Sequence, residues 1–193
     1  MPQLEIWQTA AAMGTFFVIT ATAIAAVVEL RQMQARNQLH AILALERDFR
    51  EPALQESLRY VQSYLDQKMR DPRYRAELAS LGFIDAREHL EMNVCNWFNQ
   101  MGTLVKNQIV SADAFLDQFG RLVDQYWKIL APVIAILRRQ RGDEQYQNFE
   151  YLASLSRAWH QKHPRGVFPK NAGRMPVADI WLAEDEAHSP ASS

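Results

Sequence analysis

Asp85, Glu88, His89 and Glu91 form the densest group in the sequence that could do chemistry. On a helix, Asp85 and His89 stand one turn apart, and at that spacing a carboxylate and an imidazole can share a metal ion or a proton. A di-iron bundle needs Glu-x-x-His on two helices plus two further glutamates, and the chain has no such repeat. Acidic residues at a helix start also have a simpler reason to be there, since they complement the helix dipole. That simpler reading is adopted. His160 and His163 make an H-x-x-H pair near a predicted helix end. Zinc takes three or four ligands and no companion is present, whereas histidines at a helix C-terminus suit its dipole. Cys95, the single cysteine, stands among Val94, Asn96, Trp97 and Phe98. A nucleophilic thiol needs a base and electropositive surroundings. This neighbourhood reads instead as a packed helix face, with Cys95 a small buried hydrophobe. Arg138, Arg139 and Arg141 complement the end of another helix, with no wider basic stripe. Gly-rich phosphate loops, triad signatures and zinc-finger spacings are missing. No catalytic, cofactor-binding or metal-binding residue is therefore assigned.

The aromatic residues are more informative. Trp97, Phe98, Tyr126, Trp127, Tyr146, Phe149, Tyr151 and Trp159 fall in three successive predicted helices. Adjacent pairs such as Trp97-Phe98 and Tyr126-Trp127 cannot both face one narrow core. Some of these rings must fill a second contact, against the N-terminal helix or a partner chain. Trp97, Trp127 and Trp159 are the candidate partner or pocket contacts.

The elements that must position these residues read as all-α. The 193 residues are 48% hydrophobic, carry only 7 glycines and have a net charge of −1. That is enough for one domain with appendages, built largely from helix formers. The charge balance lacks the basic excess of nucleic-acid binders, so no nucleic-acid partner is expected. One cysteine excludes an intramolecular disulfide and fits a reducing compartment.

From Ile6 to Val28 there is no charged residue. A helix of that length crosses a hydrocarbon core of roughly 30 Å, and Trp7 sits where an interfacial aromatic belongs. A single transmembrane helix is therefore expected through residues 6–28. A cleaved signal peptide would open on a basic region, which is missing here. A buried core helix rarely runs so long without charge. Glu5 precedes the span, and Arg31, Arg36 and Arg47 follow it. Basic flanks stay inside, so the N-terminus is expected out and the C-terminus cytoplasmic. Ala10 with Gly14, and Ala21 with Ala25, have the small-xxx-small spacing of a self-association face.

With no proline after Pro2 until Pro52, the helix should continue to about Arg50. Pro52 opens a second helix, with Leu54, Leu58, Val61, Leu65 and Met69 on one face, and Asp71-Pro72 opens a short third that ends at Gly82. A fourth is expected from Asp85 to Ile109, with Leu90, Val94, Trp97, Met101, Leu104 and Val105 inward. Ser111 should cap the next, which Pro132 should kink or break. Asp143 should cap a last helix reaching about His163. The expected organisation is an anchor (1–30), a cytosolic helical domain (31–163) and a mostly disordered tail (164–193).

Three stretches, NWFNQMGTLVKNQIVSADAF, YWKILAPVIAILRRQRG and YQNFEYLASL, occur in that order behind the anchor. Together they resemble an uncharacterised bacterial family of membrane-anchored helical proteins, domain of unknown function 4760. The resemblance covers roughly residues 6–162 and implies a single N-terminal membrane helix with a helical cytosolic region. Asn99 stands where the family pattern has an acidic residue, so no polar role is carried to it. The resemblance brings no established activity with it. The expected function is a non-enzymatic, membrane-tethered helical module that binds another protein or itself. The alternative is a membrane-surface regulator or effector sensing a small ligand.

Overall fold

The computed structural model describes residues 2–188 except 81 and 83, with side chains described outside 2–18, 34–39 and 186–188. The described chain is all-helical. Helix α1 (Pro2–Phe49) is one uninterrupted rod. It ends where Glu51 turns extended before Pro52, the conformation a following proline imposes. Pro52 then occupies the first turn of α2 (Pro52–Ser63). At Tyr64 the backbone leaves the helical range, and α3 (Leu65–Met69) resumes the same apolar stripe. In α4 (Pro72–Leu78) the Asp71 carboxylate accepts the Arg73 N–H at 2.8 Å, a side-chain cap. Then come α5 (Glu91–Lys106), α6 (Ala112–Arg141), α7 (Gln147–Lys162) and the short α8 (Leu182–His188). Ser111 caps α6, and Gly142, at φ 90°, ends it.

The structure corrects three expectations. Residues 84–90 form turns rather than the start of α5. The Asp85 carboxylate accepts the Arg87 N–H at 2.9 Å, and its carbonyl accepts the N–H groups of Glu88 and His89. This local bonding competes with the helix, which begins at Glu91. Helix α6 runs through Pro132 without a break. Burial of Leu130, Val133, Ile134, Ile136 and Leu137 on both sides of the proline offsets its missing donor. Helix α7 begins at Gln147, after a turn whose last residue, Tyr146, is left-handed at φ 59°. Asp143 does not cap it. Asn99 on α5 supplies the acceptor instead, taking the Asn148 N–H at 3.2 Å.

Among the described residues no helix is long and apolar enough to cross a membrane. Of the expected span 6–28, the side chains of residues 6–18 lie outside those described. The segment read as a disordered tail holds turns, irregular backbone and α8, and residues 189–193 lie outside the described structure.

Helices α5, α6 and α7 make the core, and α2 lies against α5. Phe98 of α5 stacks on Phe149 of α7, with centroids 4.8 Å apart and planes at 9°. Tyr126 and Trp127 of α6 close on these two rings. The C-terminal end of α1 joins the core through buried Leu45 and through Phe49, whose ring lies 5.3 Å from both Trp97 and Phe119. The α5–α7 seam is polar along one edge. Tyr146 donates to Asn96 Oδ1 at 3.0 Å, and Asn148 donates to Thr103 Oγ1 at 3.0 Å. Gly102 makes this seam possible, because a Cβ there would collide with the Asn148 carbonyl.

Gly102→Ala should therefore destabilise the fold, although alanine is the better helix former. Forcing two backbones apart in a packed core costs about 1–3 kcal/mol, more than the roughly 1 kcal/mol of helix propensity gained. Urea denaturation of both proteins measures the sign.

Candidate functional site

The Asp85–Glu91 cluster divides into an outer and an inner group. Asp85 and Glu88 are exposed and, with Glu77, Ser80 and His89, line an open cleft of about 470 Å³. Behind it, Glu91 is wholly buried and His89 is 3% exposed. Asp85 is not the partner of His89. The imidazole Nδ1 lies 2.9 Å from Glu91 Oε1, and Nε2 lies 3.3 Å from Glu77 Oε2. Which ring nitrogen donates depends on the tautomer. Tyr74 donates to the same Glu91 oxygen at 2.6 Å, and the hydroxyls of Tyr74 and Tyr60 are 3.2 Å apart. The result is a chain of polar groups from exposed Glu77 through His89 to Glu91, Tyr74 and Tyr60.

The sequence carried no sign of Tyr74, Tyr60 or Glu77 in this network. They lie in α2 and α4, and no local spacing relates them to Glu91. Only the Asp71-Pro72 helix start, which places Tyr74 and Glu77 on one short helix, hinted at the arrangement.

Glu91 occupies the first turn of α5, where the helix dipole favours a negative charge. Its Oε2 has no hydrogen-bond partner among the described residues. Burial, and then the bond to Glu91, push the Tyr74 hydroxyl far above its ordinary value. Burial also pushes up Tyr60. Cys95, one turn along α5, is fully buried; burial and nearby Glu91 both raise its thiol. It stays protonated and enclosed, unsuited to nucleophilic attack. Among the described residues no group of three or more His, Cys, Asp or Glu is placed to hold a metal ion.

A serine, a histidine and an aspartate meet elsewhere without forming a relay. His160 Nδ1 lies 3.3 Å from Ser156 Oγ and 3.3 Å from Asp124 Oδ2. A triad needs nucleophile and orienting acid on opposite ring nitrogens of the histidine. Here both face one nitrogen, which also lies 2.9 Å from the Ser156 carbonyl. Ser156 is buried and donates to the Gly120 carbonyl at 2.7 Å, which ties α7 to α6. The His163 ring rests against Trp159. The basic run holds the fold together. Arg138 pairs with Glu150 at 2.7 Å, and Arg141 donates to the carbonyls of Ser80 and Gly82.

The three tryptophans do not converge. Trp97 is buried at the joint with α1, Trp127 is half-buried edge-on to Phe149, and Trp159 is buried beside His160 and His163. None lines the cleft behind which Glu91 lies.

The model of an uncharacterised family, Domain of unknown function (DUF4760), matches residues 16–159. The chain belongs to this family. The DUF4760 match takes in the second half of the uncharged N-terminal stretch, the α1 joint, the Glu91 network and the α5–α7 seam. It ends at Trp159, so residues 163–188 lie beyond the DUF4760 region. Searches of the curated proteins and of the solved structures returned no significant match.

Two predictions follow from the buried groups. Tyr74→Phe leaves Glu91 with one donor fewer and should cost about 1.5–3 kcal/mol, the range for hydrogen bonds to charged groups, read as a lower urea midpoint. Raising the pH should also weaken the fold. The ordinary values are 9.0 for Cys95 and 10.0 for Tyr60, Tyr74, Tyr126 and Tyr146, and all five are raised in the fold. Above its ordinary value each group loses its proton in the unfolded chain while the fold still holds it. Their contribution is therefore complete below about pH 9 and declines as the pH rises further. Urea midpoints flat from pH 7 to 9 and falling toward pH 11 are expected, with Cys95 resisting alkylation until the chain unfolds.

Proposed function

We propose that this chain is a non-enzymatic helical interaction module, tethered to the bacterial inner (plasma) membrane by residues 6–28. The N-terminus lies outside and the helical domain lies on the cytoplasmic side. The observation that carries the reading is the uncovered state of α1. Every residue from 19 to 33 is exposed, Ile19, Ile24, Val27, Val28 and Leu30 among them. A helix apolar on all sides with no protein against it is suited to lipid. The absence of charge from Ile6 to Val28 supports this, and the flanking Arg31, Arg36 and Arg47 support the orientation. The stretch from 29 to 40 then forms a helical stalk of roughly 18 Å, at 1.5 Å per residue, ending at the Leu45 and Phe49 joint. A module held in that way meets membrane partners at raised effective concentration.

The non-catalytic reading is supported by the engagement of the polar clusters in packing. His89, His160 and Arg141 each hold elements together. A second reading, a regulator sensing a small ligand, is favoured by the cleft of Glu77, Ser80, Asp85, Glu88 and His89, whose charge suits a cation. In that reading the pocket is not built from Trp97, Trp127 and Trp159.

Alkaline carbonate extraction tests the tether. The native chain should stay with the membrane pellet. Phe17→Lys with Ile19→Lys should release it, since each charge near a span centre costs about 2.5–3.5 kcal/mol. Complete extraction of the native chain by carbonate would overturn the reading. A C-terminal fluorescent-protein fusion that is dark, with a matching phosphatase fusion that is active, would reverse the orientation.

A further inference from the structure

Between α3 and α6 lies an open groove of about 670 Å³. Its floor is apolar, with Met69, Ile129 and Pro132, and its rim carries Arg75, Lys128 and Arg139. Asp66, the acidic residue of the lining, is paired with Arg70 at 2.8 Å. The rim is therefore net positive.

The same chain carries a segment of matching chemistry. Val177, Ile180 and Trp181 are 95%, 79% and 61% exposed. Residues 177–179 are not helical, and α8 begins just after Trp181; a helix extended back by one turn would put the three, at i, i+3 and i+4, on one face. The Asp179 carboxylate accepts the Trp181 N–H at 3.0 Å, and the Trp181 carbonyl accepts the N–H groups of Glu184 and Asp185. Glu184, Asp185 and Glu186 follow the apolar residues directly. An apolar face followed by a run of acids complements an apolar floor with a basic rim.

We propose that the α3–α6 groove receives the chain's own C-terminal segment, residues 177–185, with Ile180 and Trp181 on the floor and the acidic run against Lys128 and Arg139. The connecting residues 164–176 reach roughly 45 Å when extended. A domain of this size has a radius of gyration of roughly 14 Å, so the groove is within range. A short flexible connection gives a millimolar effective concentration, which favours the segment of the same chain over that of a second copy. The docked segment closes the groove to other apolar–acidic peptides, and its release opens it. The groove lies within the DUF4760 match and the segment beyond it, and the control is independent of the membrane tether.

Hydrogen–deuterium exchange on the full chain in detergent tests the proposal. Amides of 177–185 should exchange about tenfold slower in the native chain than in Lys128→Glu/Arg139→Glu. Both substituted side chains are exposed, so the α5 amides should keep their protection in that variant. Adding Glu184→Lys and Asp185→Lys to the reversed groove should restore the slow exchange. Ile180→Ser, which leaves the groove unaltered, should raise exchange at 129–136. Equal exchange of 177–185 in the native chain and the groove variant, or no effect of Ile180→Ser at 129–136, would overturn the proposal. Protection that disappears on dilution would assign the segment to a second copy. Protection that requires anionic vesicles would assign it to lipid. Either result overturns docking within the chain.

Discussion

A carboxylate without solvent exposure must find its donors inside the fold, and Glu91 imposes that requirement on the segment that precedes it. The short helices and turns between Leu65 and Leu90 have little regular structure of their own. Tyr74 and His89 bring α4 and the 84–90 turn to the N-terminus of α5 because Glu91 sits there. Arg141 adds a clamp on the carbonyls of Ser80 and Gly82. Apolar surface would glue this region in many orientations. A charged group with directional donors admits few, which is what buried polar networks contribute to a fold. The solution is incomplete, since Glu91 Oε2 lacks a partner among the described residues. The helix dipole at the first turn of α5 offsets part of that deficit.

Helix α5 is consequently the frame, and each of its faces has a separate task. Glu91 and Cys95 face the polar network. Phe98 and Met101 enter the aromatic core. Trp97 meets Phe49 at the end of α1, and Asn96, Asn99 and Thr103 form the seam with α7. This explains why Trp97 and Phe98 can stand side by side. They serve two contacts, one against the core and one against the N-terminal helix, as their adjacency in the sequence required.

The sequence made the helices legible wherever periodicity and punctuation agreed. The uninterrupted α1, the starts at Pro52 and Asp71-Pro72, the Ser111 cap and the buried stripes of α2, α5 and α6 all have local causes. The misreadings also have causes. Asp85 and Asp143 are equally good at capping a helix and at closing a turn, and nothing local decides between the two. Pro132 was read by its own cost, without the burial on both sides that outweighs it. The need for Gly102 had no local sign, because the Asn148 carbonyl that requires it is 46 residues away. Spacing along one helix offered Asp85 as a companion of His89, whereas the ring contacts come from α4 and from Glu91.

The exposed apolar side chains show where the molecule is unfinished. Within the bundle, among the described residues, the large ones are scattered singly, as Tyr64, Ile109 and Tyr151. Isolated exposures of that kind are ordinary on a stable surface. The others gather at the two ends, on α1 from Ile19 to Leu43 and after Gly166 from Val167 to Leu182. Among the described residues the bundle therefore has a closed core. The two ends do need cover, and they differ in kind. The α1 segment is exposed and uncharged from Ile19 to Val28 and carries Glu29 and Arg31 beyond it. The C-terminal segment is apolar at Ile180, Trp181 and Leu182 and acidic from Glu184 to Glu186. The bundle between them holds the end of α1 through the contact of Phe49 with Trp97.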